Sequence, residues 1–552
     1  MKIDSRSYSS VISLLVSLAA LGMPASATAQ SGDAVVIRGL IAAARVPGAR
    51  WPDFPRYLDD VARLYASHNG VPVWFREGRL SSAGQAAIGS LLGAASHGLA
   101  PEDYDAAPLD SLAQGSGPSL PPAEVGRLDL MLSVDLIRYL DDLRRGRSKG
   151  VVRSGTVARM DPPDWADAID QGLRGDSIGK LADQAAPALT QYRNLRALLA
   201  RYRRLARDTV AFAALPAVPP AMPGQPYAAL TELKRRLVLV GDLAGAGSGD
   251  TLYTGEAVEA VRQFQRRHGL EPDGVIGPAT SAALNVPPAR RVRQIELALE
   301  RIRWLPPLGR EPFLVVNIPA FYLFGFDSAG GTGAPSFTSR VVVGRALDTE
   351  TPVLYESLRY VEFRPYWNVP RSIVLNEILP RLRRDPEYLG RYHMEVVGPA
   401  DRLVDDTASS DLLRRLTGGE IRIRQRPGLS NALGLVKFVF PNAASVYLHD
   451  TPDTELFSRS RRDFSHGCIR VEEAEALAVW VLRGQPAWDS AQVHAAVKGP
   501  GTRRAFLTRP MPVAILYTTA VATPSGEAWF FEDIYDHDRA LEEVLRAGPS
   551  PP

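Results

Sequence analysis

The chain has 552 residues, and 64 Lys and Arg against 61 Asp and Glu leave a formal charge of +3, too balanced to argue for a nucleic-acid partner. Its length implies several domains, and 45% hydrophobic residues are ample for large cores. The eight histidines form no H-E-x-x-H or comparable ligand pair, so neither a metal nor another cofactor is expected.

At the N-terminus, Lys2 and Arg6 precede "VISLLVSLAALGM", an apolar run too short to span a bilayer but suited to a signal-peptide core. Ala27 and Ala29 then offer an A-x-A cleavage site before Gln30. Residues 1–29 are therefore read as a signal peptide, with an uncleaved anchor as the alternative. No later stretch is long and apolar enough for a membrane helix, which places the mature chain in the periplasm or at the cell surface.

Residues 30–214 read as a helical scaffold, with amphipathic stretches such as "LMLSVDLIRYLDDLRRGR" and "YRNLRALLARYRRLARD" and no catalytic motif. Five prolines in "LPAVPPAMPGQP" make 215–226 an extended linker and a domain boundary. Residues 227–286 form a small three-helix module. Thr254 is expected to cap a helix whose apolar face carries Val258, Val261 and Phe264, Asp273-Gly274 makes a turn, and Pro278 opens the next helix. The pattern of Phe264, Gln265, Gly269, Leu270, Asp273 to Gly277, Thr280 and Leu284 resembles the peptidoglycan-binding domain that accompanies cell-wall enzymes; a helical spacer that binds nothing is the alternative.

A connecting helix is read over 287–310, and the periodicity then changes. "FLVVNIPAFYLFGFD", "SRVVVGR", "LRYVEFRPYWNV" and "ASVYLHD" are short β-branched and aromatic runs, which predict a mainly antiparallel sheet across a domain at 311–540. An insertion at about 374–427 is long enough to be a capping subdomain, and 541–552 is a tail. The whole is a multidomain α+β chain.

The sole cysteine, Cys468, lies in "DFSHGCIRV". It cannot pair within the chain or build a Cys-rich zinc site, so it is either an inert buried thiol or a nucleophile. A free thiol is only a few per cent thiolate at neutral pH and gains from a histidine that takes its proton. His449, at a strand end 19 residues earlier (468 − 449), is the candidate base. His466 and Ser465 are candidates for shaping the loop. A turn at Gly467 can present backbone N–H groups to a developing oxyanion, so these parts suit acyl transfer.

His449 followed by S-H-G-C-I-R resembles the signature of the L,D-transpeptidases with the YkuD-type catalytic fold. "FRPYWNVPRSIVLNEILP" and "RQRPGLSNALGLVKFVFP" resemble their large multidomain periplasmic members, in which Asp450 stands where smaller members carry glycine. The resemblance implies that Cys468 attacks the carbonyl joining the third residue of a peptidoglycan stem, commonly meso-diaminopimelate, to a terminal D-alanine. A second stem then resolves the thioester, giving a 3–3 cross-link. It also implies that amides around Gly467 and Cys468 hold the oxyanion, that Arg470 orients the donor, and that Tyr366, Trp367 and Asn368 line the cleft. The partners so implied are a tetrapeptide donor, a stem acceptor, the wall polymer and other cell-wall synthases, and a carbapenem would acylate the same thiol. Two rivals remain: an L,D-carboxypeptidase or endopeptidase using the same residues with water as acceptor, and a non-catalytic wall tether. A papain-like protease would need its cysteine upstream of its histidine, the reverse of the order here.

Overall fold

The computed structural model describes residues 32–114, 119–148, 163–210, 212–216, 218–246, 251–309, 311–328, 333–346, 349–404 and 410–548; the signal-peptide reading lies outside them. No helix among the described residues is long and apolar enough to cross a membrane. The scaffold is built round the 24-residue helix Pro122–Arg145, which is buried on nearly every side because Gly32–Ala43, Leu58–Ser67 and Ser82–Leu92 pack against it. Its buried Asp129 accepts the N–H groups of Val73, Trp74 and Phe75 and the hydroxyl of Tyr65. A carboxylate inside a core needs such a full set of donors.

The last scaffold helix, Thr190–Arg207, leaves that core. It packs on the connecting helix, Pro288–Arg303, and on a hairpin of Ala520–Ala522 with Ala528–Phe530, sharing Tyr192, Leu195, Leu199, Ile295, Ala298 and Phe530. The proline-rich segment is extended but not free. The Leu215 N–H donates to Asn285, Ala221 pairs with Ile276, and Ala221 is buried in the core of the neighbouring module. That module contains the three expected helices, Leu230–Val240, Glu256–Arg267 and Pro278–Leu284. Gly255, not Thr254, occupies the cap of the second, at φ +58°, a left-handed conformation that suits glycine. The Gln265 amide binds Asp273, the Gly274 N–H and Thr280, which gives the F-Q, D-G and T positions one physical role, that of clamping the turn.

The C-terminal β domain is a closed barrel. Its strands are β1 (Phe313–Asn317), β2 (Tyr322–Phe326), β3 (Phe337–Gly344), β4 (Leu354–Phe363), β5 (Val436–Val439), β6 (Leu448–His449), β7 (Asp463–Ser465), β8 (Ile469–Val471) and β9 (Arg503–Leu516). The order β3-β8-β6-β5-β4-β9-β1-β2 returns to β3, and β7 extends the β2 side of β3. The expected mainly antiparallel sheet is corrected to a mixed one, because β6 with β8, β7 with β3, and β9 with β1 are parallel. Parallel partners need a long connection, and the loop that leaves after His449 and returns at Ile469 supplies one. Inward residues such as Val361, Phe363, Phe438, Leu448, Ile469 and Val513 fill the barrel.

The insertion between β4 and β5 has its own core, with Ile378, Leu382, Val396, Leu416 and Ile423. Its four-stranded sheet already includes Trp367–Asn368, paired with Arg424 and Gln425, so the run read as one strand through "FRPYWNV" breaks after Phe363 and the cap begins earlier than 374. The expected tail is also corrected: residues up to Ala547 belong to the helix His537–Ala547, docked through Leu541 against Leu297 and Trp304 and through an Arg301–Asp538 ion pair.

Candidate active site

Outward positions on neighbouring strands share a face, and register alone assembles the site. His449 lies opposite Arg470 on β8 and Lys437 on β5. Two residues back along β6 and β8, Tyr447 flanks Cys468, and the Ile469 N–H donates to the Tyr447 carbonyl at 3.1 Å. Cys468 is half-buried, its Sγ 3.9 Å from the Ser445 carbonyl and met by the hydroxyl and backbone amide of Tyr447. Burial pushes the thiol above its usual range, while the Tyr447 hydrogen bonds, Lys437 and Arg470 act the other way.

His449 is buried, and Nδ1 lies 2.5 Å from the Asp450 carbonyl. A carbonyl only accepts, so Nδ1 carries the proton and Nε2 keeps a lone pair for a substrate proton or the thiol. Burial first, then the Arg470 charge, lowers the imidazole to about 3. Both partners are thus neutral at rest, and no hydrogen bond joins them among the described residues. The Asp450 carboxylate accepts the N–H groups of Leu435 (2.8 Å) and Thr451 (2.7 Å), fixing the carbonyl that holds His449. A Cβ at Gly434 (φ +61°) would sit 2.4 Å from that carboxyl, so glycine there is a consequence of Asp450.

The loop that carries Cys468 is tied by Ser465, whose hydroxyl accepts the Gly467 N–H at 3.2 Å and donates to the Cys468 carbonyl at 2.5 Å. Gly467 takes φ +103°, and Thr351 donates to its carbonyl at 2.9 Å. Of the amides expected to hold the oxyanion, that of Gly467 donates to Ser465, whereas the Cys468 amide has no acceptor among the described residues. Arg470 pairs with Asp453 at 2.7 Å, across the loop that joins the two site strands.

Of the expected cleft residues, Trp367 reaches the Tyr447 hydroxyl, Tyr366 stacks under Arg424 at 4.3 Å, and Asn368 is exposed on the cap sheet. His466 reaches the cap, its Nε2 2.7 Å from the Glu377 carboxylate. Glu377 belongs to a π-helical turn, Val374–Ile378. Sequence reasoning missed Glu377, Tyr447 and Lys437. Lys437 Nζ lies 3.9 Å from the Tyr447 ring centroid, and burial lowers its pKa. Burial, then the Cys468 charge, raises the Tyr447 hydroxyl. The period-2 alternation of "ASVYLHD" carried a signal for Tyr447, since i and i+2 share a face.

Comparison with known proteins agrees with this architecture. Residues 311–491 match the family model of the L,D-transpeptidase catalytic domain, YkuD; 59–199 match a scaffold domain; 227–284 match a model described as "Putative peptidoglycan binding domain". A Haemophilus influenzae protein named "Putative L,D-transpeptidase" is 31% identical over 249 residues, 45% of this chain, which spans about half (49%) of that relative. A solved L,D-transpeptidase from Xylanimonas cellulosilytica aligns at 16% identity over 55% of this chain and 99% of its own, with a TM-score of 0.16, too low for any statement about fold. The chain thus carries a barrel that matches the YkuD L,D-transpeptidase catalytic domain and a clamped helical module that matches a putative peptidoglycan-binding domain.

Proposed function

We propose that this protein forms 3–3 cross-links between peptidoglycan stems in the periplasm through a cysteine acyl-enzyme. The observation that carries the reading is the shared outward face on which register sets Cys468, Tyr447 and a His449 with a fixed tautomer. Sγ attacks the carbonyl between the third residue and the terminal D-alanine, and the thiol proton passes to Nε2 of His449. The oxyanion lies against the Cys468 amide, and collapse releases D-alanine, whose amine takes the proton back. The side-chain amine of a second stem then attacks the thioester, gives its proton to His449 and frees the thiol. Because thiol and imidazole are both neutral at rest, proton transfer accompanies attack and no standing ion pair precedes it. Arg470 orients the donor while bracing the loop through Asp453.

Incubation of the protein with tetrapeptide stems, read by mass spectrometry, tests this. The expected products are a transient Cys468 adduct lighter than the stem by the lost D-alanine, then dimers. Cys468→Ala removes the only thiol and one small side chain, so it should abolish both while leaving the melting temperature nearly unchanged. Trimmed monomers alone would replace transpeptidation by carboxypeptidase action, and a Cys468→Ala protein that fails to fold would return the cysteine to an inert packing role.

A further inference from the structure

Register places two parallel rows of side chains on the outer face of the barrel, both starting at the site. Arg470, His449, Lys437, Glu362 and Arg504 lie opposite one another across β8, β6, β5, β4 and β9. Two residues along, the second row runs from Cys468 through Tyr447, Val439 and Tyr360 to Phe506. In the first row Asp453 pairs Arg470 at 2.7 Å and Glu362 pairs Arg504 at 2.8 Å, and Lys437 leaves the row with an excess of one positive charge. The second is apolar and aromatic. Phe506 lies against Tyr360 with ring centroids 5.1 Å apart and the rings tilted by 43°, the Arg504 guanidinium lies 5.5 Å from the Tyr360 centroid, and Phe506 is 64% exposed.

An exposed phenylalanine within a strand, in contact with a tyrosine ring and flanked by a cation, is unusual on a solvent face, where polar residues normally alternate with inward apolar ones. Here the interior set is satisfied by Val361, Phe363 and Ala505, so the packing of the barrel does not require Phe506. Four strand spacings of ~4.8 Å put Phe506 roughly 19 Å from the nucleophile. An extended peptide of four or five residues spans about 14–18 Å. The strip is thus as long as one stem peptide, and its flanking positive charge complements the carboxylates of that stem.

We propose that this strip, centred on Tyr360 and Phe506 with Arg504 beside them, docks the acceptor stem and aims its amine at the thioester. The inference rests on the transpeptidase reading above and adds where the second substrate lies. The donor is assigned to the cap side of Cys468, where Glu377 closes on His466, while Trp367 of the cap meets Tyr447 at the Cys468 end of the strip and leaves Tyr360 and Phe506 to the acceptor. The strip lies on the open sheet face.

Phe506→Ala and Phe506→Glu in the full-length protein separate the two substrates, because so exposed a side chain changes without disturbing the core. With a tetrapeptide donor and no acceptor, both variants should acylate Cys468 at the wild-type rate. With acceptor stem added, the acceptor concentration for half-maximal transfer should rise about fivefold in Phe506→Ala and tenfold or more in Phe506→Glu, where a like charge faces the acidic peptide. Unchanged acceptor dependence in both variants, or equal slowing of acylation and transfer, would overturn the proposal. If the wild type forms no acyl-enzyme the cross-linking reading fails, and calorimetric binding of the stem peptide to Cys468→Ala decides the docking surface alone. Weaker binding when Phe506→Glu is added supports it, and equal binding removes it.

Discussion

At the scale of single residues, the pKa shifts of Cys468 and His449 both oppose ionisation, and this shapes what each can do. Burial holds the thiol up and the imidazole down to about 3, so His449 remains neutral and ready to accept a proton across the whole physiological range. A carbapenem, whose strained ring carbonyl is a probe of thiol nucleophilicity, should add its mass to Cys468. Replacing His449 by Ala should slow this acylation by about 10²–10⁴-fold near pH 7, the usual contribution of a positioned base. The deficit should shrink steadily above pH 9, where the thiol ionises without help. A deficit equally large at both pH values would mean that His449 acts through geometry and not as the base. The candidate nucleophile and candidate base could be proposed from sequence because a lone cysteine, a histidine and a flexible glycine turn are informative as residue types. Tyr447, Lys437 and the occupied Gly467 amide were not, since each acquires its meaning from a partner on another strand or from one hydroxyl, that of Ser465.

Elements decide how these residues meet. Alternation in the runs around Val361, Val342 and Leu448 announces strands, yet period 2 carries no information about partner or direction, and the parallel pairing of β6 with β8 is what puts Tyr447 beside Cys468. The cap was legible as an insertion by length alone; its early start at Trp367 was not, because an aromatic strand residue reads alike in either sheet. The cap reaches the nucleophile loop through Glu377 and His466, on a π-helical turn of a kind that often marks functional positions. Both groups are partly exposed, at 33% and 46% of their side chains, so the pair is worth at most ~1 kcal/mol. Glu377→Ala should therefore leave carbapenem acylation near the wild-type rate while raising the concentration of peptide donor needed for half-maximal acylation by up to about fivefold. Equal effects on the small ring and on the long peptide would assign Glu377 to the geometry of the loop and not to closure of the cap.

Across the whole molecule, one helix joins the scaffold to the barrel, and it does so with buried charge. Glu300 and Arg303 of Pro288–Arg303 pair at 3.0 Å in the interior, Glu300 accepts the Arg147 and Ser148 amides of the scaffold, and Arg303 donates to the carbonyl of His97. The His97 ring is 3% exposed, bonds the Tyr192 hydroxyl at 3.1 Å, and is lowered to about 3 by burial first and then by Arg196 and Arg303. His268, stacked on Phe264 at 3.8 Å, and His449 are lowered by burial as well. A histidine held neutral in the fold binds its proton more readily once unfolded. Its contribution is therefore complete above the unfolded value near 6.5 and is lost as pH falls towards the folded value. Between pH 6.5 and 5, above the range where most carboxylates titrate, each such histidine should remove up to ~1.4 kcal/mol per pH unit, or roughly 2 kcal/mol over the interval. Chemical unfolding of the full-length protein should thus show falling stability across that window. His97→Gln, neutral at every pH and able to keep a hydrogen bond to Tyr192, should be less stable at pH 7 but lose about a third less on acidification, since it removes one of the three histidines. A slope unchanged by His97→Gln would mean that His97 can be protonated in place, and that the junction between scaffold and connecting helix opens locally without unfolding the rest.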